Sequence, residues 1–214
     1  RVKDKDILIN AIFLDATSYG HLEIVKYLVE KGADINFKVD ITKTGEYGVT
    51  ALMGASMDGH LEVVKYLVEN GAYINAKDSK GWTSLMHSSS EGYLEVVKYL
   101  VGKGADINAK DENGTTALII ATREENLDLV KYLVENGADV NAKIGEYGIT
   151  ALMFASSEGY LEVVKYLVGK GVDINAKADD GWTALMFASS EGHLEVVKYL
   201  VENKADINAR TEYN

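Results

Sequence analysis

The sequence predicts an all-α solenoid made of six copies of one helix–turn–helix unit. Three observations support this prediction. The phrase LEVVKYLV or a near-copy of it occurs six times, starting at Leu22, Leu61, Leu94, Leu127, Leu161 and Leu194. The spacings between these leucines are 39, 33, 33, 34 and 33 residues, a period typical of stacked repeats. Each phrase also has the apolar pattern of a helix that is covered on more than one side.

The unit that begins at Gly181, GWTALMFASSEGHLEVVKYLVENKADINA, shows the local signals. Thr183 is a good N-cap for a short first helix, ALMFASSE. Gly192 predicts the end of that helix, because glycine readily adopts the left-handed conformation that closes a helix. The repeated phrase is the second helix. Glycines such as Gly71, Gly104, Gly137 and Gly171 follow this helix.

The second helix has more apolar surface than one neighbour could cover. In the copy that begins at Leu61, the polar residues Glu62, Lys65 and Glu69 are three and four residues apart and form one narrow stripe. The remaining residues are apolar. We therefore expect Leu61, Val64, Leu67 and their equivalents to be buried between neighbouring copies.

Aligned, the copies give the pattern G-x-T-[AS]-L-M-x-[AS]-[ST]-x-x-G-[HY]-L-E-V-V-K-Y-L-V-x-x-G-A-D-I-N-A. This pattern resembles the ankyrin repeat over roughly residues 9–208. The resemblance implies antiparallel helix pairs joined by β-hairpin-like loops and stacked with a concave face. It further implies a single domain, 1–214, with units of approximately 5–38, 39–77, 78–110, 111–143, 144–177 and 178–210.

Several positions depart from the ankyrin pattern. The chain has no proline, so TALM, TSLM or TALI stands where the family usually has T-P-L-H. Glu125 replaces the glycine between the two helices, and Lys204 replaces the glycine after the second helix. A residue with a Cβ at positive φ costs roughly 1 kcal/mol, so we expect local distortion at both places. Tyr73 replaces the aspartate of GADIN, and the first unit lacks G-x-T, as expected for an N-terminal cap.

Composition excludes several classes of function. The net charge of −11 argues against binding to nucleic acid or to an anionic membrane, both of which attract basic surfaces. It favours a protein partner of basic or mixed charge. The absence of cysteine excludes disulfides and thiolate chemistry. No apolar run reaches the ~20 residues of a membrane span, and no signal-peptide core is present, so we predict a cytoplasmic protein.

No catalytic, cofactor or metal site is predicted. Three of the four histidines, His21, His60 and His193, share a repeat position where other copies have tyrosine or asparagine. Such exchange favours packing, and equivalent atoms of stacked helices lie ~8–10 Å apart, too far for shared zinc ligands. We expect His87, at a different position, to be packed or half-exposed. Because no second catalytic group recurs beside the repeated acids, we expect no enzyme activity.

Most candidate partner-binding residues lie at the acidic position of the first helix, at the position before the N-cap threonine, or in the loops. Five acids occur at the same place in successive first helices and form a stripe. Duplication of the repeat alone would also produce this stripe. The ankyrin resemblance places it on the concave face. The loop tips vary and contain aromatic residues, which are frequent binding anchors. Trp82 and Trp182 could equally well serve packing. The complete candidate set is Tyr47, Val49, Asp58, Trp82, Glu91, Arg123, Glu124, Tyr147, Ile149, Glu158, Trp182 and Glu191.

These features predict a protein–protein interaction scaffold that binds its partner through the concave face and the loop tips. The alternative is a structural or assembly module, which self-associates or acts as a spacer in a longer array. The last second helix, Leu194–Val201, is identical to internal copies and has no charged replacement at Val196, Val197, Tyr199 or Leu200. We therefore expect an apolar end face that contacts either a further repeat or a second copy of the chain.

Overall fold

A computed structural model describes residues 2–39 and 48–211. Within these ranges the chain forms twelve helices and one two-stranded sheet. The first helix is the longest, and later repeats alternate a seven-residue with a nine-residue helix. The elements are α1 (Val2–Ser18), α2 (Leu22–Glu30), β1 (Lys38–Val39), β2 (Val49–Thr50), α3 (Ala51–Met57), α4 (Leu61–Glu69), α5 (Ser84–Ser90), α6 (Leu94–Gly102), α7 (Ala117–Arg123), α8 (Leu127–Glu135), α9 (Ala151–Ser157), α10 (Leu161–Gly169), α11 (Ala184–Ser190) and α12 (Leu194–Glu202).

The helices are arranged in two layers within each of two compact units, residues 1–111 and 112–214. In the first unit, α1, α3 and α5 pack side by side, α2, α4 and α6 form the second layer, and each repeat pairs one helix from each layer. The second unit repeats this arrangement with α7, α9 and α11 against α8, α10 and α12. This confirms the predicted all-α repeat architecture. The division into two units coincides with the predicted border between the third and fourth repeats, and the single domain stays a prediction.

Threonine starts the first helix of every repeat after the first. The side-chain oxygen of Thr183 accepts a hydrogen bond from the backbone N–H of Met186 at 3.4 Å. Four further threonines bond in the same way to the residue three positions on: Thr50, Thr83, Thr116 and Thr150. Each cap satisfies one of the N–H groups that a helix start leaves free. The N-cap prediction is confirmed.

The turn between the two helices has the same backbone geometry with and without glycine. Gly59 has a φ of 73°, and Glu125, at the equivalent place, has a φ of 52°. The backbone N–H of Asn126 bonds to the carbonyl of Ala121 at 3.0 Å, as that of His60 bonds to Ala55 at 2.9 Å. Lys204 likewise keeps a φ of 73°. The expected distortion was therefore wrong, because the surrounding hydrogen bonds hold these side-chain-bearing residues in the left-handed conformation.

The space available for a Cβ differs between inter-helix glycines, and a pair of alanine substitutions can separate its effect from backbone strain. A Cβ on Gly192 (φ 79°) would meet no atom within 4 Å, whereas a Cβ on Gly159 (φ 77°) would lie 2.5 Å from Nδ1 of His193. We expect Gly192→Ala to cost about 1–2 kcal/mol of stability through backbone strain. Gly159→Ala should cost at least about 1 kcal/mol more, because overpacking adds to the strain. Equal losses in chemical denaturation would contradict the close approach.

The second helices contribute inward positions to a core that they share with buried residues of the first helices, such as Leu52. Val64 and Leu67 are fully buried, and most of their equivalents are as well. The expectation for Leu61 was wrong, since it is half-buried and its equivalent Leu194 is 60% exposed. These leucines are the first residues of their helices, so their side chains lie at the edge of the layer, beside the inter-helix turn.

The C-terminal end face is apolar, but its composition differs from the expected one. Val196 and Leu200 are buried, and Val197 is half-buried. Tyr199 is half-buried as well, and Val197 is partly open on this face, whereas the equivalent Val164 is 0% exposed. The exposed apolar residues at this end are instead Leu194, Val201 and Ile207.

The loops are hairpin-like, and an asparagine links each to its neighbour within a unit. β1 pairs antiparallel with β2, and Ile144 and Ile149 exchange backbone hydrogen bonds of 2.9 and 3.0 Å. The side-chain oxygen of Asn36 accepts from the backbone N–H of Tyr73 at 2.8 Å, as Asn75 accepts from Asp106. Because this link uses the backbone, the exposed Tyr73 can replace the usual aspartate without breaking it.

Candidate partner-binding surface

The five predicted acids occupy one structural position, the residue that ends each short first helix. Asp58, Glu91, Glu124, Glu158 and Glu191 are the C-caps of α3, α5, α7, α9 and α11, and all five are exposed. A carboxylate at a helix C-terminus faces the negative end of the helix dipole, an interaction that is unfavourable by about 0.3–1 kcal/mol. Within residues 2–39 and 48–211, none of the five side chains makes a hydrogen bond or an ion pair.

In the second unit, three nearby carboxylates affect the pKa of one tyrosine. Burial, followed by the nearby carboxylates of Glu158, Glu125 and Glu124, raises the pKa of Tyr160 above its ordinary value. The three carboxylates therefore create a region of negative potential around the ends of α7 and α9. Glu125 belongs to this region, although its sequence position predicted only a replacement for glycine.

The two tryptophans are anchored by packing and remain half-exposed. The indole N–H of Trp82 donates to Oδ2 of Asp111 at 3.2 Å, and its ring centroid lies 5.2 Å from that of His87. The ring of Trp182 lies 5.0 Å from that of Phe187. Both rings are thus held in place while one part of each faces solvent, so packing and binding are compatible.

The remaining loop candidates differ in exposure. Tyr147 is 67% exposed, whereas Val49 and Ile149 are half-buried at the start of their repeats. Tyr47 lies outside the described residues. The structure brings Ile149 close to the first helix of its own repeat. Among the loop candidates that the structure describes, Tyr147 is the most exposed.

Two of the histidines serve as links between successive repeats. Nε2 of His60 lies 2.9 Å from the carbonyl oxygen of Ser18, and Nε2 of His193 lies 2.8 Å from that of Ser157. Each ring reaches the end of the preceding first helix and satisfies one of its terminal carbonyls. In the described part of the chain, no cluster of three or more potential metal ligands is found.

His87 differs from the other histidines, because it forms a buried pair with Asp78. The side chains are 8% and 2% exposed, and Nε2 of His87 lies 3.0 Å from Oδ2 of Asp78. Oδ1 of Asp78 accepts from the backbone N–H groups of Lys80 and Trp82, both at 2.9 Å. This pair was not predicted from the sequence, because Asp78 lies in a loop that varies between the repeats.

The His87–Asp78 pair forms the floor of a cavity in the first unit. The cavity has a volume of about 190 Å³, and it opens beside the exposed Glu91. It lies between the ends of α3 and α5 and is also bounded by the loop before α5. Its lining residues are Met57, Asp78, Lys80, Trp82, His87, Ser90 and Glu91.

Arg123, the one basic candidate, has an intramolecular contact. It is the last residue of α7, and its guanidinium lies 5.6 Å from the ring centroid of Phe154 in α9. A cation over an aromatic face is attracted by the ring quadrupole. Arg123 therefore packs on the neighbouring repeat while its side chain stays exposed.

A comparison with known protein families agrees with the helical repeat architecture. The profile for ankyrin repeats in three copies matches residues 13–111, 75–144, 109–178 and 144–211. This chain belongs to the ankyrin repeat family. Ankyrin repeats are generally protein–protein interaction modules, which favours a binding role for this ankyrin repeat chain. A search of curated proteins found no relative. None of its described helices is long and apolar enough to span a bilayer.

Proposed function

We propose that this ankyrin repeat chain is a protein-binding scaffold that recognises a basic or mixed-charge segment of its partner. Each unit has its own contact residues: Asp58, Glu91 and Trp82 in the first, and Glu124, Tyr147, Glu158, Trp182 and Glu191 in the second. The observation that carries the proposal is the position of the acids. They lie where the helix dipole disfavours a negative charge, and among the described residues they make no contact that would offset this cost.

The overall charge supports the same partner. A net charge of −11 attracts a basic segment from a distance and speeds its association. The carboxylate groups at the helix ends then meet its lysine or arginine side chains. Because the acids sit on packed helices, little conformational entropy is lost on binding.

Charge neutralisation tests this proposal within one unit. We expect Glu124→Gln combined with Glu158→Gln to weaken the binding of a lysine- and arginine-rich peptide by about threefold to tenfold. The affinity should also depend less on salt concentration, because fewer ion pairs are screened. Isothermal titration calorimetry at several salt concentrations measures both quantities.

A matched control separates the site from net charge. Glu162→Gln combined with Glu195→Gln removes the same charge from the same unit, but these acids lie on second helices, where they pair with Lys165 and Lys198 at 2.7 and 2.8 Å. The control should change affinity by less than about twofold, as expected for distant exposed charges. If both double variants weaken binding equally, the C-cap acids are not the binding site.

A second candidate function, self-association, is favoured by the C-terminal end face. Ile207 is 69% exposed there and lines a groove of about 350 Å³ together with Leu185 and Met186. Exposed apolar surface of this kind marks interfaces. Sedimentation velocity tests it: a concentration-dependent increase in mass that Ile207→Lys abolishes would support association, and a monomer at all concentrations would exclude it.

A further inference from the structure

The cavity above His87 and Asp78 has the size of a site for one side chain. Its volume of about 190 Å³ is below the ~300–1,000 Å³ typical of sites for small molecules and cofactors. All of its lining residues belong to the first compact unit. A protruding side chain of a bound protein segment is therefore a better fit than a free cofactor.

The floor of the cavity is rigid. Asp78 accepts three hydrogen bonds, two from backbone N–H groups and one from the imidazole of His87. The ring of Trp82 packs against His87 and is fixed through its own N–H. A guest side chain thus meets surfaces that do not have to reorganise, which reduces the cost of binding.

The lining favours a cation. It includes the carboxylates of Asp78 and Glu91 against the single ammonium of Lys80. Glu91 is exposed at the opening, where its carboxylate can accept two parallel hydrogen bonds from a guanidinium. The indole of Trp82 offers a face on which a planar guanidinium stacks better than a lysine ammonium does.

The second unit contains an arginine at the equivalent place. Arg123 is the last residue of α7, as Met57 is of α3. Phe154 is the fourth residue of α9, as His87 is of α5. There, the guanidinium of Arg123 lies over the ring of Phe154. In the first unit, the uncharged Met57 stands where Arg123 does, and a cavity is present.

We propose that this cavity binds an arginine side chain of the partner, in the place that Arg123 occupies in the second unit. This inference rests on the proposed function and names one residue that the basic segment must contain. Trp82 supplies the stacking surface, Glu91 the paired carboxylate, and the His87–Asp78 pair the polar floor.

The test uses N-acetylarginine amide as the probe and the indole N–H signal of Trp82 in NMR spectra as the readout. Trp182 is the internal reference, and Trp182→Phe assigns the two signals. We expect a saturable shift of the Trp82 signal with the arginine probe. The citrulline analogue, which has the same shape without the charge, should bind at least about tenfold more weakly, because charge-assisted hydrogen bonds are lost.

Met57→Arg provides the decisive variant. It places a guanidinium on α3 as Arg123 does on α7, so it should fill the cavity and abolish the arginine-dependent shift. Met57→Leu, with circular dichroism to confirm folding of both variants, should retain the shift. Equal shifts with arginine and citrulline, or an undiminished shift in Met57→Arg, would overturn the inference.

The same variants distinguish this inference from the proposed function. A basic peptide whose binding depends on Glu124 and Glu158 but is unaffected by Met57→Arg would refute the arginine site alone. If the arginine probe binds the cavity but the affinity of the peptide does not depend on the C-cap acids, only the proposed acidic surface is refuted.

Discussion

Replacing Leu100 with alanine is expected to lower the free energy of unfolding by about 2–5 kcal/mol. Leu100 is 0% exposed, lies in the last turn of α6, and its carbonyl also accepts the backbone N–H of Ala105 that closes this helix. The substitution removes buried methyl groups and leaves a void that close-packed neighbours fill only in part. Urea denaturation followed by circular dichroism measures the change.

Leu194→Ala is the matched control for this substitution. Leu194 belongs to the same repeated phrase but is 60% exposed, so its truncation should change stability by no more than about 0.5 kcal/mol. A loss below about 1 kcal/mol for Leu100→Ala, within the range of surface substitutions, would mean that this leucine is not part of the repeat core.

Replacing Asp78 with alanine is expected to destabilise the first unit by about 3–5 kcal/mol, because three donors lose their acceptor and each unsatisfied buried group costs about 1–3 kcal/mol. The substitution leaves His87 and the backbone N–H groups of Lys80 and Trp82 without their common acceptor. Unsatisfied buried donors keep their desolvation cost. Thermal or urea denaturation of Asp78→Ala against the parent chain measures this loss.

The last repeat supplies a rescue for this variant. There, Ala178 and Phe187 occupy the positions of Asp78 and His87. Asp180 occupies the position of Lys80 and accepts a hydrogen bond from the backbone N–H of Trp182 at 3.1 Å. The triple variant Asp78→Ala, Lys80→Asp, His87→Phe should therefore recover most of the lost stability. If the single variant is as stable as the parent, the buried pair does not contribute to the fold.

The repeat architecture was predictable because each structural signal occurs several times. Thr183 and its equivalents cap the first helices as predicted, and the glycines after the second helices, such as Gly71 (φ 92°), adopt the predicted left-handed conformation. Such signals are local, since a cap or a turn depends on residues within one unit. The positions of the five C-cap acids follow from the same regularity.

The features that were missed depend on a single copy or on contacts between repeats. The His87–Asp78 pair exists in one repeat, and its burial arises from Trp82 and the adjoining loop, which no periodic pattern encodes. The burial of Leu61 was overestimated because helical periodicity does not show that a residue at the helix start lies at the layer edge. The turn at Glu125 was expected to distort, but the hydrogen bonds around it outweigh a strain of about 1 kcal/mol.

Mapping a bound basic peptide by amide chemical shifts tests the central claim, that the partner binds at the ends of the first helices. A short peptide rich in lysine and arginine is titrated into the isotopically labelled chain. We predict that the perturbed amides cluster around the C-termini of α3, α5, α7, α9 and α11 and the adjacent loops. Perturbations concentrated instead on the outer polar stripe of the second helices, around Glu62 and Lys65 and their equivalents, would contradict the claim.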